Sequence, residues 1–180
     1  MSKLIIVSGP TGSGKTYLAK YLSEATGVPY FCKDEIKEQL FDSLGWSDKE
    51  WSRKLGVAAI KLLFFLIEKE LKAGRSVIAE ANFKPALDTA QAERIMLLYK
   101  SDVLEFHCNA PEEILLNRAK HRVSSGERHP GHVDTFLEDR YFDLDQHQAV
   151  GVGTVCEVDT SNFEKVSYQS LAEQTTKFIG

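Results

Sequence analysis

Residues 4–20 read "LIIVSGPTGSGKTYLAK", an apolar run that enters a glycine-rich turn and leaves it through a lysine and a threonine. Leu4 to Val7 predict a strand. Leu18, Tyr21, Leu22 and Ala25 keep one side of the following segment apolar as far as Gly27, which predicts a helix. Between strand and helix, Gly9-Pro10-Thr11-Gly12-Ser13-Gly14-Lys15-Thr16 fits G-x-x-x-x-G-K-[ST] in the context its chemistry needs. Glycines let successive N–H groups converge on an anion at a helix N-terminus, where unpaired donors and the helix dipole already favour negative charge. Lys15 is placed to reach β- and γ-phosphates. Thr16 offers a hydroxyl to Mg²⁺, a hard cation that takes oxygen ligands. Gly9, Thr11, Gly12, Ser13, Gly14, Lys15 and Thr16 are therefore candidate nucleotide-binding residues.

Outward from this stretch, strands continue to alternate with helices. "VPYF" (28–31) reads as a short second strand, followed by a short helix from about Asp34. Trp51, Leu55, Ala58, Leu62 and Leu66 recur at helical spacing, and Gly74 ends that helix before the strand "SVIAEANF" (76–83). "VLEFHC" (103–108) and "TVCEV" (154–158) are further strands. Pro85 and Pro111 stand where first helical turns begin, Ile114, Leu115 and Ala119 mark one apolar helix side, and a last helix spans about 167–179. The pattern implies an α/β fold whose parallel sheet is wrapped on both faces, with functional loops beyond the carboxyl ends of the strands.

No repeat, low-complexity tract or long linker divides the 180 residues, so one domain over 1–180 is expected, as a monomer or a small homo-oligomer. Lysine and arginine number 22 against 26 acidic residues, and the net charge of −4 provides no general attraction to nucleic acid or to an anionic membrane. Cys32, Cys108 and Cys156 are scattered and odd in number, which argues against a disulfide framework or a C-x-x-C site and fits reduced cytoplasm. The N-terminal apolar run is too short for a signal peptide, and residues 62–67 are too short to span a bilayer.

Three further groups carry candidate chemistry. Glu80, at the end of its strand, is placed to hold a metal-bound water or orient a nucleophile, and reads otherwise as a solvated loop residue; Asn82 binds substrate or stabilises the turn. In "FCKDEIKEQL" (31–40), Asp34 and Lys37 lie one helical turn apart, facing the space where a phosphate acceptor would sit. Asp34 suits the carboxylate that takes the proton of an attacking hydroxyl, and equally suits a helix cap. "NRAKHRVSSGERHPGHVD" (117–134) sets Arg118 and Arg122 on one helical face and Arg128 in a Ser/Gly/Pro loop. Guanidinium forks match phosphate oxygens, so these arginines suit a lid that neutralises charge and excludes water; the alternative is a solvated basic face. His129 and His132 lack the cysteine or carboxylate spacing of a zinc site, and substrate contact or loop packing is the better reading. "VDTSNF" (158–163) approaches a nucleotide base or forms an ordinary turn.

On "GPTGSGKT", "KDEIKEQL", "VIAEANF" and "RAKHRVSSGERHPGH", the sequence resembles the small P-loop kinases of the polynucleotide-kinase and zeta-toxin type, a group similar also to chloramphenicol phosphotransferase and gluconate kinase. The resemblance spans nearly the whole chain. It implies a three-layer α/β/α P-loop fold with a five-stranded parallel sheet, nucleotide-kinase-like, with an arginine-bearing lid at about 118–133. It further implies ATP with Mg²⁺, held at Thr16 and Glu80, and γ-phosphate transfer to a hydroxyl. Lys15, Asp34, Arg122 and Arg128 take the catalytic positions, Arg118 packs on the adenine, and Asp34, Lys37 and Asn82 meet the acceptor. Lys37 replaces an arginine typical of the polynucleotide kinases, and Glu80 replaces the usual aspartate. The expected acceptor is a small molecule such as a nucleoside, sugar, sugar acid or antibiotic. Two alternatives are a nucleic-acid 5′-end kinase and a regulatory NTPase that binds a protein; the guanine-reading N-K-x-D sequence is absent.

Overall fold

In the computed structural model, which describes residues 1–132 and 147–180, the first strand β1 (Lys3–Ser8) lies at the centre of a five-stranded sheet. The chain continues through α1 (Lys15–Thr26), β2 (Tyr30–Cys32), α2 (Lys33–Leu44), α3 (Lys49–Lys72), β3 (Val77–Glu80) and α4 (Pro85–Tyr99). It ends with β4 (Asp102–Asn109), α5 (Glu112–Ser124), β5 (Thr154–Asp159), a 3₁₀ turn (Phe163–Lys165) and α6 (Tyr168–Ile179). Strand order is β2-β3-β1-β4-β5 and every pairing is parallel. Parallel strands must be joined by crossovers, and each crossover carries helix onto a face of the sheet.

Alternation along β1 separates two cores. Leu4 and Ile6 pack with Leu63, Ile67 and Leu71 of α3 and Ile95 of α4, whereas Ile5 and Val7 pack with Leu18 and Leu22 of α1 and Ala172 of α6. All four β1 side chains are essentially inaccessible. This is the three-layer α/β/α arrangement expected from the sequence. No helix of the described residues is long and apolar enough to cross a membrane.

Several boundaries and faces differ from expectation. β2 begins at Tyr30, because strand pairing with β3 starts there, and α2 runs twelve residues from Lys33. The buried side of α3 is Leu55, Ala59, Leu63, Ile67 and Leu71, leaving Leu62 exposed. "KLLFFLI" (61–67) is apolar nearly all round, so its periodicity does not resolve which side faces the sheet. Ala25 is likewise exposed near the end of α1.

One polar cluster sits within the sheet. Glu105 on β4 is fully buried and accepts from Ser8 Oγ (2.5 Å) and from the backbone N–H groups of Val150 (2.8 Å) and Gly151 (2.9 Å). Since Ser8 gives its proton to Glu105, it accepts from His107 Nδ1 at 2.9 Å. The strand that leads into the glycine loop is thus tied to the segment that enters β5.

Candidate active site

The loop from Gly9 to Thr16 leaves the central strand and turns into α1 through Gly14 at φ 77°. A side chain at Gly12 (φ 84°) would meet the Leu115 carbonyl oxygen at 2.6 Å, and one at Gly14 would meet the Phe163 ring at 2.5 Å. Left-handed backbone and close neighbours together require glycine at both positions. Within the loop, Lys15 Nζ donates to the Pro10 carbonyl at 3.3 Å and stands 3.8 Å from Glu80 Oε1. Thr16 Oγ1 donates to Glu80 Oε2 at 3.0 Å. Thr11 is part-exposed on the loop, and Ser13 Oγ is buried with no hydrogen-bond partner among the described residues.

Register explains why Glu80 is here. β3 lies beside β1 with Val7 opposite Glu80, so the carboxylate emerges next to the start of the glycine loop. Glu80 is 2% exposed, which removes the solvated-loop reading. The donor set fits the groups expected of it. The buried ammonium of Lys15, the orphaned Ser13 hydroxyl and the N–H groups at the head of α1 suit phosphate oxygens. Thr16 and Glu80 present oxygen atoms of the kind Mg²⁺ takes alongside phosphates and water.

On the nucleotide side, the structure separates duties among the arginines. The Arg118 guanidinium lies 3.8 Å from the centroid of the Phe163 ring and donates to the carbonyls of Gly12 (3.3 Å), Thr160 (2.9 Å) and Ser161 (3.2 Å). It thereby ties α5, the glycine loop and the β5–α6 connection together. A cavity of about 740 Å³ opens at this junction, lined by Lys15, Thr16, Tyr17, Arg122, Phe163 and Tyr168 among others. That volume accommodates a small organic ligand. Phe163 was not a candidate in the sequence; the available signal was only that it closes "VDTSNF" after the last strand.

On the opposite side, α2 starts at Lys33 with Cys32 in the capping position, so Asp34 is the second helical residue and not the cap. Its carboxylate receives Lys33 Nζ at 3.2 Å and Arg128 Nη1 at 3.4 Å. Burial would raise its pKa, but Lys33 and Arg128, with smaller help from Lys15, hold it well below the usual carboxylate range. Lys33, absent from the sequence candidates, also donates to Asn82 Oδ1 at 3.0 Å. Lys37 is buried and donates to Ser52 Oγ of α3 at 2.9 Å, with its ammonium 5.1 Å from the Phe41 ring.

His129 and His132 clasp α2. The His129 ring stacks on Phe41 (centroids 5.1 Å apart, planes 15° apart); its Nδ1 accepts from Gly131 N at 2.9 Å, so its Nε2 carries the proton directed at Asp42 Oδ1, 3.2 Å away. His132 meets the edge of Phe41, and its Nε2 lies 3.0 Å from Glu38 Oε1. Burial and the Arg128 charge, opposed by Asp34, push His132 down to about 3, so its neutral ring donates through Nε2–H. Burial and the Asp34 charge push Glu38 up. Among the described residues no group of three or more His, Cys, Asp or Glu is arranged to hold a metal. Residue 133, the last of the expected lid, lies outside the described residues.

The family model described as "AAA domain" matches residues 4–140. A solved structure of a candidate kinase from Chloroflexus aurantiacus is 32% identical, covers 99% of both chains and superposes with a TM-score of 0.90. The Mycobacterium tuberculosis APS kinase CysC, solved with AMPPNP and APS, is 16% identical over 98% of this chain and 96% of its own (TM-score 0.64). Kti12 from Chaetomium thermophilum, solved with ADP-AlF3, is 14% identical over 98% and 99% (TM-score 0.68). At these last two identities the likeness is one of fold. No match was found among curated protein sequences.

Proposed function

The chain belongs to the AAA domain family, with the fold of the small P-loop kinases, and from that premise we propose an ATP- and Mg²⁺-dependent phosphotransferase acting on a hydroxyl of a small molecule. One observation carries this reading. Lys33 Nζ donates both to Asp34 (3.2 Å) and to Asn82 (3.0 Å), two residues beyond the Glu80 whose carboxylate stands 3.8 Å from Lys15, so the carboxylate suited to an acceptor is linked to the strand end that meets the phosphate cradle. A structure built only to hold a nucleotide needs the cradle and has no use for that carboxylate.

In this reading the loop N–H groups, Ser13 and Lys15 hold the phosphates, Thr16 and Glu80 hold Mg²⁺, and the metal, when bound, neutralises charge on the β- and γ-phosphates. The acceptor oxygen attacks the γ-phosphorus, the bond to the bridging oxygen breaks, ADP departs, and the acceptor proton passes to Asp34. Arg128 draws Asp34 down in the resting site. On exchanging that carboxylate for the transferring phosphoryl group, it leaves Asp34 more basic when a proton must be taken. Arg122, which lines the cavity, would serve the phosphates, and the stretch beginning at Arg118 would serve as the lid. Asn82 and Lys33 border the acceptor side, together with Lys37. The three free cysteines, two of them buried, are in keeping with a cytoplasmic setting.

The test is ADP formation with a panel of nucleosides, sugars, sugar acids, antibiotics and oligonucleotides, with phosphorylated product identified by mass. One small-molecule class is expected to raise turnover well above the rate in water alone. Transfer to an oligonucleotide end, with steep salt dependence, would shift the reading to an end kinase; equal turnover with every acceptor would shift it to an NTPase.

A further inference from the structure

Cys32 and Glu80 are direct partners on the neighbouring strands β2 and β3. Parallel pairing places both side chains on one face of the sheet, and burial to 3% and 2% exposure leaves them little freedom. The Cys32 thiol donates to Glu80 Oε2 at 2.7 Å, the same oxygen that receives the Thr16 hydroxyl at 3.0 Å. Glu80 Oε1 remains on the side of Lys15.

Glutamate has one more rotatable bond than aspartate, and a carboxylate at the end of a strand needs an external anchor to stay in one rotamer. Resting on the nucleotide-binding reading above, we infer that Cys32 is a positioning residue: its thiol pins Glu80 Oε2 so that Thr16 keeps donating to Glu80 while its oxygen is turned to Mg²⁺. The anchor stands on two rigid paired strands, which is where a support for a metal ligand is most precise. Cys32 itself touches neither nucleotide nor metal.

The experiment compares wild type with Cys32→Val, which is one heavy atom larger and keeps strand preference but loses the donor, and Cys32→Ser, which keeps a donor. Cys32→Ala replaces the valine variant should that one not fold. Affinity for AMPPNP is measured by calorimetry with Mg²⁺ and with EDTA, beside melting temperature. The strengthening by Mg²⁺ is expected to fall at least threefold in Cys32→Val and to stay within twofold of wild type in Cys32→Ser, with EDTA affinities alike in all. Unchanged strengthening in Cys32→Val, or equal losses in the valine and serine variants, would reduce Cys32 to packing and overturn the inference. So would a wild-type affinity indifferent to Mg²⁺. The expected pattern in a protein that phosphorylates no hydroxyl would leave the inference standing and sink the phosphotransferase reading.

Discussion

At the scale of single residues, the proposed function divides the site into charges that would bind and one charge, Asp34, that would react. Lys15 is nearly buried beside Glu80, which keeps hydrogen bonds from Thr16 and Cys32. Lys15→Ala is therefore expected to fold and to lose at least tenfold in ATP affinity. Circular dichroism with calorimetry checks both halves, and wild-type affinity in a folded variant would refute the cradle. Asp34 is the sharper case. Because Cys32 occupies the cap, Asp34→Asn gives up no capping bond, but it removes the charge that balances Lys33 and Arg128, whose side chains are only 15% and 10% exposed, so some stability goes with it. Loss of a general base costs about 10²- to 10⁴-fold in rate, although a loose transition state demands little early deprotonation. A folded variant with a lowered melting temperature that still binds ATP, and with transfer slowed roughly tenfold or more, is expected. Wild-type transfer would move the proton acceptor to Glu80 or to the substrate. Lys15 and Thr16 were legible as candidates because they close the glycine motif, and Asp34 because it follows a strand at the head of a helix. Lys33 was not, since a lysine beside an aspartate has no distinctive spacing.

At the scale of elements, the loop after α5 is held by α2 through ring contacts and carboxylates. Gly131 lies so close to Phe41 that a side chain there would meet the ring at 2.7 Å. His132 makes this clasp sensitive to acid. Its pKa falls from 6.5 in the unfolded chain to about 3 in the fold, so the stability it contributes is complete above about pH 6.5 and drains as pH falls toward 3. Glu38, Asp34, Arg128, Lys33 and Lys37 share the neighbourhood and titrate or act on one another. His132→Gln, which keeps a donor for Glu38 but cannot charge, cancels their common effect to first order. The advantage in melting temperature of wild type over His132→Gln should shrink by several degrees between pH 7 and pH 4. An advantage constant across that range would remove His132 from the acid response.

At the scale of the whole molecule, a buried carboxylate joins the two halves of the chain. Glu105 takes the Ser8 hydroxyl just ahead of the glycine loop and two backbone N–H groups more than forty residues downstream. Glu105→Gln brings an amide NH₂ against groups that are themselves donors, and one such mismatch costs about 1–3 kcal/mol. For a chain of this size each kcal/mol moves the melting temperature by about 2–4 °C. A melting temperature within a degree of wild type would show that the anchor contributes nothing. Nothing in "VLEFHC" marked Glu105 as more than a polar residue in a strand, because two of its partners are backbone groups that a sequence does not display and the third, Ser8, lies 97 positions away.

By itself the sequence determined the parts whose physics is local. Strand, glycine turn and helix follow one another within residues 4–20, and backbone geometry alone makes that segment a phosphate cradle. Alternating strands and helices determined a parallel sheet covered on both faces, since parallel neighbours require crossovers. The tertiary structure decided whatever depends on which strand lies beside which. Placing β3 between β1 and β2 set Glu80 against Thr16 and Cys32, residues 64 and 48 positions away. The return of β5 beside β4 brought Phe163 and two carbonyls to Arg118. It also decided which side of α3 meets the sheet, because residues 62–67 are apolar all round and carry no preferred face until a partner is present.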